Sequence, residues 1–306
     1  MEALGSFFLN FAMGFVNLLI LPWHIYNWLT LDTLKKKMNV LTQVGMSIEF
    51  FFVVIAIVIL LIGIGIYKRR FLYGTVNTLE NFNAKIGKAA AWFALLMMIQ
   101  QVIIIAVGQI FRGNEIILAP LGMTIVSEEL QWLSGQLKFY NAILIAMASA
   151  YTFIEGGHVR VDLVYASCKK RTKHWIDFFG TLFFFIPSTL LLWWFSWPIA
   201  MNAIFAQKPM NIWTTSTRWR SVRLETSGTA EFSWVWGFKL LVLIFAGLMF
   251  ICAVSFLLRN ILALLEKDKD IPTHVSFDGD PIGGIGIESL SDEANTGKRD
   301  QPAHPL

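Results

Sequence analysis

Residues 50–70 read FFFVVIAIVILLIGIGIYKRR. From Phe50 to Tyr67 the run carries no charge, and it stops at the three cations Lys68, Arg69 and Arg70. At about 1.5 Å of rise per residue such a run makes a helix of roughly 27 Å, close to the ~30 Å hydrocarbon thickness of a bilayer. With its flanks it defines a span over Met46–Tyr67. Four further stretches qualify on the same grounds: Ala89–Phe111, Gln136–Ile154, Trp175–Phe205 and Lys239–Leu258. A sixth, Phe7–Leu29, is apolar but interrupted by Asn10, Asn17, Pro22 and His24. It either spans or lies in the interface, with Trp23, Tyr26 and Trp28 at headgroup depth.

The composition agrees. Of 306 residues, 56% are hydrophobic and 15% charged, against about 25% charged in a soluble domain. One soluble core cannot hide that excess. The fold expected is therefore an all-α polytopic membrane protein: a four-span helical core, one or two additional N-terminal spans, and an interfacial amphipathic helix. The net charge of +4 is small, and the cations sit at the ends of apolar blocks. They read as topology signals and not as nucleic-acid contacts. MEALGSFF lacks the basic flank of a cleaved signal peptide, so the N-terminus is expected to stay in the mature protein.

The 156–174 connection holds Arg160, Lys169, Lys170, Arg171 and Lys173, which places it in the cytoplasm. Alternation then puts 68–88 and the C-terminal tail inside, and 112–135 and 206–238 outside. Lys35, Lys36 and Lys37 fall on the outer side by the same alternation, against the rule. Within 112–135, Ser127 is expected to cap a helix with Glu128 and Glu129 in its first turn. Leu130, Leu133 and Leu137 recur on one side, while Gln131, Ser134 and Lys138 lie elsewhere, so this helix reads as amphipathic and interfacial. The alternative is an N-terminal extension of the following span. Residues 266–306, with nine acidic and four basic residues, read as a disordered tail.

Catalytic or cofactor chemistry is hard to place. The histidines, at 24, 158, 174, 274 and 304, lie in a doubtful span, a loop and the tail, which argues against haem. Cys168 and Cys252 have neither paired spacing nor His neighbours, so no disulfide framework or zinc site is expected. No metal, cofactor or catalytic residue is assigned. Glu49 and Lys138 lie near the ends of the expected spans. Gln100 and Gln101, mid-span, read as interhelical hydrogen-bonding groups.

Several motifs then occur in order. Glu128–Glu129–Leu130–Gln131–Trp132 precedes a span ending Ala150–Tyr151–Thr152. His158–Val159–Arg160–Val161–Asp162 follows, and Trp175–Ile176–Asp177 opens the next span. Glu225–Thr226–Ser227 stands before the last one. The series resembles the small permease subunit, DctQ, of tripartite ATP-independent periplasmic (TRAP) transporters, over roughly residues 89–265. The resemblance implies an inner-membrane, non-catalytic scaffold bound to a large permease subunit. That large subunit holds the substrate and sodium sites, and a periplasmic solute-binding protein delivers an organic acid to it. It divides the chain into an N-terminal extension with one or two membrane segments (1–88), a four-helix small-permease-like domain (89–265) and the cytoplasmic tail (266–306). Glu129, Trp132, His158, Arg160, Asp162, Trp175 and Asp177 become candidates for contact with that subunit or with membrane lipid. His158 and Asp162, four apart, are placed to pair on one helical turn, with Arg160 turned toward lipid phosphate. The alternatives are a stand-alone carrier or channel, and the membrane anchor of an enzyme complex.

Overall fold

A computed structural model of the chain describes residues 2–31, 34–110, 112–113, 115–118, 126–155, 170–206, 221–229 and 232–265. The tail, the His158–Asp162 segment and about half of the 206–238 connection fall outside these residues. Helix α1 runs Glu2–Leu29, α2 Leu34–Val44, α3 Ile48–Tyr67 and α4 Arg69–Ile105, the last prolonged by a π-helical turn over Ala106–Ile110. Strands β1 (Glu115–Leu118) and β2 (Val126–Glu129) pair antiparallel and lead into α5 (Leu130–Ile154). Helix α6 (Lys170–Gly180) passes through a π turn, Thr181–Phe185, into α7 (Ile186–Ile204). A short pair, β3 (Phe205–Ala206) with β4 (Ser221–Val222), precedes α8 (Val235–Leu265). Among the described residues six helical segments are long and apolar enough to cross a membrane: Phe8–Leu29, Ile48–Tyr67, Arg69–Ile110, Leu130–Ile154, Arg171–Ile204 and Val235–Leu265.

Two sequence expectations need correction. Residues 69–88 are helix, continuous with the span that follows, and the chain leaves helical geometry only at Lys68 (φ −120°, ψ 91°). The reason is a buried stripe, Leu72, Val76, Glu80, Asn83, Gly87 and Ala90, at helical spacing. The separate amphipathic helix capped by Ser127 is also absent. Ser127, Glu128 and Glu129 lie in β2, and the helix begins at Leu130 and continues without a break to Ile154. Lys138 is therefore eight residues inside a span, about 12 Å from its start, and not at its end.

Helix α8 is the axis of the molecule, and its neighbours divide its surface. Leu257, Leu258, Ile261 and Leu262 meet Leu72 and Val76 of α4, with Val58 and Ile62 of α3 against them. Leu248 and Cys252 meet Ala150 and Ile154 of α5. Leu241 meets Ile143 and Ala146. Leu243 meets Ala200 and Met201 of α7. Small residues permit the close approaches. A Cβ added at Gly87 of α4 would lie 2.3 Å from Cβ of Tyr151 on α5, and one at Gly135 would lie 2.8 Å from the backbone nitrogen of Phe232. In membranes, where lipid is as apolar as leucine, such close packing supplies much of the drive for helix association.

The N-terminal helices attach to the other side of α7. Trp193 Nε1 donates to the Gly45 carbonyl (3.3 Å), and Trp197 Nε1 to that of Thr42 (3.1 Å), which seats the α2–α3 junction on two indoles. A Cβ at Gly45 would enter the Trp197 ring. The α6–α7 segment crosses as one helical rod with a π turn just before Pro187. Proline has no N–H for the turn behind it, and π turns re-route the ladder at such places. The hydroxyls of Ser188 and Thr189 donate to the carbonyls of Phe184 (2.5 Å) and Phe185 (3.1 Å). Such side-chain donors re-satisfy backbone groups in a medium without water.

Candidate functional site

Charge inside the bundle is concentrated between α4 and α8. Glu80, 3% exposed, faces Ser255 and Arg259, one turn apart on α8. Ser255 Oγ donates to Glu80 Oε1 at 3.4 Å, and Arg259 Nη1 lies 3.8 Å from the same oxygen. Asn83, the next residue along the α4 stripe, is fully buried, and neither its Oδ1 nor its Nδ2 has a hydrogen-bond partner. The Nδ2 of Asn260 on α8 is buried in the same condition. At 3.8 Å the pair exceeds the 2.7–2.9 Å of a charge-assisted hydrogen bond. It is a through-space attraction between two packed helices. Among the described residues no group of His, Cys, Asp and Glu is arranged to hold a metal ion.

A second polar link ties the ends of α7 and α8 at the opposite end of the bundle. The backbone N–H groups of Arg223 and Glu225 donate to the carbonyls of Ile204 (3.0 Å) and Ala203 (2.9 Å), and the Glu225 carbonyl accepts from Trp236 (3.3 Å). Glu225 Oε2 lies 2.5 Å from Nζ of Lys239, in the first turns of α8. Gly228, at φ +67°, supplies the left-handed residue that turns the chain after the Glu225–Thr226–Ser227 segment.

The sequence-derived candidates are dispersed. Glu129 has its backbone in β2, opposite Glu115. Trp132 packs edge-on against Phe232 at 5.4 Å, so its ring is engaged within the chain. Trp175 and Phe179 stack at 5.6 Å on α6. The Asp177 carbonyl accepts from Thr181 Oγ1 at 2.6 Å where the π turn begins. His158, Arg160 and Asp162 lie outside the described residues. Gln100 behaves as expected: its Nε2 donates to the Leu133 carbonyl (2.8 Å) and to Gln136 Oε1 (3.2 Å), binding α4 to α5. Gln101, by contrast, is exposed.

Sequence reading missed Glu80, Asn83 and Arg259. Reading 68–88 as a connection hid the first two, although both are in helical phase with Leu72 and Val76. Ending the last span at Leu258 left Arg259 just outside it. The groove between α3 and α7, about 100 Å³, is lined by Phe50, Phe51, Val54, Leu190, Trp193 and Trp194 among others. The Trp193 N–H is committed to Gly45, so this groove offers an anion no charged partner.

Residues 121–263 match the family model described as tripartite ATP-independent periplasmic transporters, DctQ component. The match takes in α5, α6–α7 and α8 with their connections, while α1–α4 precede it. No curated protein and no solved structure matches the chain. Transport and not catalysis is the business of that family, and six apolar helices make the chain a multi-pass membrane protein. Over residues 121–263 the chain is similar to the DctQ component of tripartite ATP-independent periplasmic transporters.

Proposed function

We propose that the chain is the non-catalytic scaffold of a sodium-coupled TRAP transporter, holding the large permease subunit in the inner membrane. A periplasmic binding protein brings the large subunit its organic acid. The carrying observation is the DctQ match over α5–α8. The chain's buried charge, Glu80 with Arg259, joins two of its own helices, and neither residue lines the groove between α3 and α7. Helix α4 completes a four-helix unit with the matched residues, since it packs along both α5 and α8. Helices α1–α3 form an N-terminal addition braced on α7. In this reading the 156–174 segment and the tail face the cytoplasm, and 206–238 faces the periplasm. His158, Arg160 and Asp162 anchor the chain at lipid headgroups or a cytoplasmic loop of the large subunit. Glu129, at the end of β2 just before α5, and Trp175 and Asp177 on α6 have the same kind of role.

The test is purification of the tagged chain in mild detergent from cells that also express the large permease. Recovery of the large subunit is expected, and liposomes holding this chain alone should take up no substrate. An active transporter isolated without a partner refutes the proposal. Topology is checked in intact cells with an impermeant thiol reagent, which should label a cysteine placed at Ser216 and spare Cys168. The opposite pattern would invert the orientation.

A further inference from the structure

Helix α5 turns a polar edge outward at the depth where its neighbour turns an apolar one. Gln131, Ser134, Lys138, Asn141, Ile145 and Thr152 are the exposed residues of α5 at successive turns. Depth is fixed from inside the molecule. Gln100 of α4 is bonded to Leu133 and Gln136, and the Phe93 ring lies 5.8 Å from that of Tyr140. Residues 133–140 of α5 are therefore level with residues 93–100 of α4. At that level α4 exposes Trp92, Leu95, Leu96, Met98 and Ile99, a mainly apolar surface as on a lipid-facing helix, with exposed Gln101 the next residue beyond it. Helix α7 likewise exposes Leu191, Phe195 and Ile199.

Polar side chains at lipid depth face protein or a water-filled path. Lysine can snorkel, but Ser134 and Asn141 are too short to reach the interface. The spacing points to protein. Positions 131, 134, 138, 141, 145, 148 and 152 alternate three and four residues apart, and Ala148 completes the series. A 3.5-residue repeat keeps one seam against a neighbouring helix over a long distance. Its small and hydrogen-bonding residues, Ser134, Asn141, Ala148 and Thr152, are of the kind that lines helix contacts in membranes.

We infer that this edge of α5 is the seam that receives a membrane-spanning helix of the large permease, with hydrogen-bond acceptors on that helix facing Lys138 and Asn141. The inference rests on the subunit reading above. A photo-crosslinking amino acid placed at Asn141, and in a second variant at Phe195 on the apolar face of α7, tests it in the co-expressed complex. Mass spectrometry identifies the adduct. The Asn141 probe should capture the large permease, and the Phe195 probe lipid. Lys138→Leu/Asn141→Leu should lower the recovered large subunit at least tenfold while the chain itself elutes as a single species with unchanged helicity.

A permease that co-purifies yet crosslinks only through Phe195 overturns the seam and leaves the subunit reading standing. The same holds if Asn141 captures lipid alone or a second copy of this chain. If no permease co-purifies with the unaltered chain, both readings fall.

Discussion

Replacing Arg259 with alanine leaves the Glu80 carboxylate buried without its cation. The remaining donor described near Oε1 is Ser255, at 3.4 Å. Two unit charges about 4 Å apart attract by about 4 kcal/mol at an effective dielectric of 20. Much of that attraction offsets the desolvation of both groups, whereas a lone buried charge keeps only the cost. Breaking such pairs typically costs about 3–5 kcal/mol. The 3.8 Å separation and the 12% exposure of the Arg259 side chain put Arg259→Ala at or just below the bottom of that range, about 2–3 kcal/mol. Removing both charges is another matter, because a leucine pair in their place needs no desolvation. Glu80→Leu/Arg259→Leu should come within about 1 kcal/mol of the parent or exceed it. Stability is followed by unfolding the purified protein in mixtures of dodecyl maltoside and SDS, with all four corners of the double-mutant cycle measured together. An Arg259→Ala variant within about 0.5 kcal/mol of the parent would refute the pairing. So would a double variant that loses as much as the two single losses added.

Gly87→Val should destabilise by about 1–3 kcal/mol through overpacking against Tyr151, while Gly63→Ala, where an added Cβ meets nothing within 4 Å, should be neutral or stabilising by up to about 1 kcal/mol; the same titrations compare them. Gln100→Leu, which removes the link from α4 to Leu133 and Gln136, should cost about 0.6 kcal/mol, the average for interhelical hydrogen bonds in membranes, and should raise hydrogen exchange in the first turns of α5. Glu225→Gln should cost about 0–1 kcal/mol, since its pair with Lys239 is solvent-facing, with any loss smaller at high salt. Alanine at His158, Arg160 or Asp162 should lower the yield of complex without altering substrate affinity, measured by uptake in reconstituted liposomes; a shifted substrate preference at normal yield would contradict the scaffold role.

The spans were legible because bilayer thickness writes itself into run length. Ile48–Tyr67 and the core of α8 could be read without any partner information. What eluded the sequence was helix that is amphipathic toward protein and not toward water. Residues 69–88 look like a basic loop because Arg69, Arg70, Lys85 and Lys88 stand on the exposed side, and their buried stripe includes Glu80 and Asn83, which a hydropathy window counts as polar. At Ser127 a sound capping pattern competed with strand pairing to Glu115–Leu118 and lost. Gln100 was legible as an interhelical donor because an amide in mid-span must find a partner. Its acceptor, the Leu133 carbonyl, was not, since that depends on the depth at which α5 begins. The Trp193 and Trp197 contacts to the α2–α3 junction join residues about 150 apart in sequence, and no local pattern encodes them.

The placement of charge along α4 follows from what its surface meets. At 42 residues this helix is about 63 Å long, well beyond the roughly 40–45 Å of a bilayer with its headgroups. Only exposed side chains sense the solvent, because buried ones see protein at any depth. The exposed residues are mostly charged or polar before Ala89 (Arg69, Arg70, Asn77, Lys85 and Lys88, with Phe71 and Phe82 among them) and mostly apolar after it (Trp92, Leu96, Met98 and Val102, with Gln101 among them). Helix α4 thus meets lipid near Ala89. Glu80 stands nine residues, about 13 Å, to the polar side of that level. Arg259, its partner, directly follows the apolar run of α8 that ends at Leu258. The ion pair therefore sits at headgroup depth, where a charge loses less hydration than at the bilayer centre. It can lock α4 to α8 without the full cost of a charge in hydrocarbon. Farther along α4, at lipid depth, its polar contact with a different neighbour, α5, is neutral: Gln100 with Leu133 and Gln136. Polar chemistry inside the subunit weakens as the lipid deepens, and the outward edge of α5, with Lys138 and Asn141 at that depth, departs from this gradient. A partner helix removes the conflict by taking those groups out of contact with lipid.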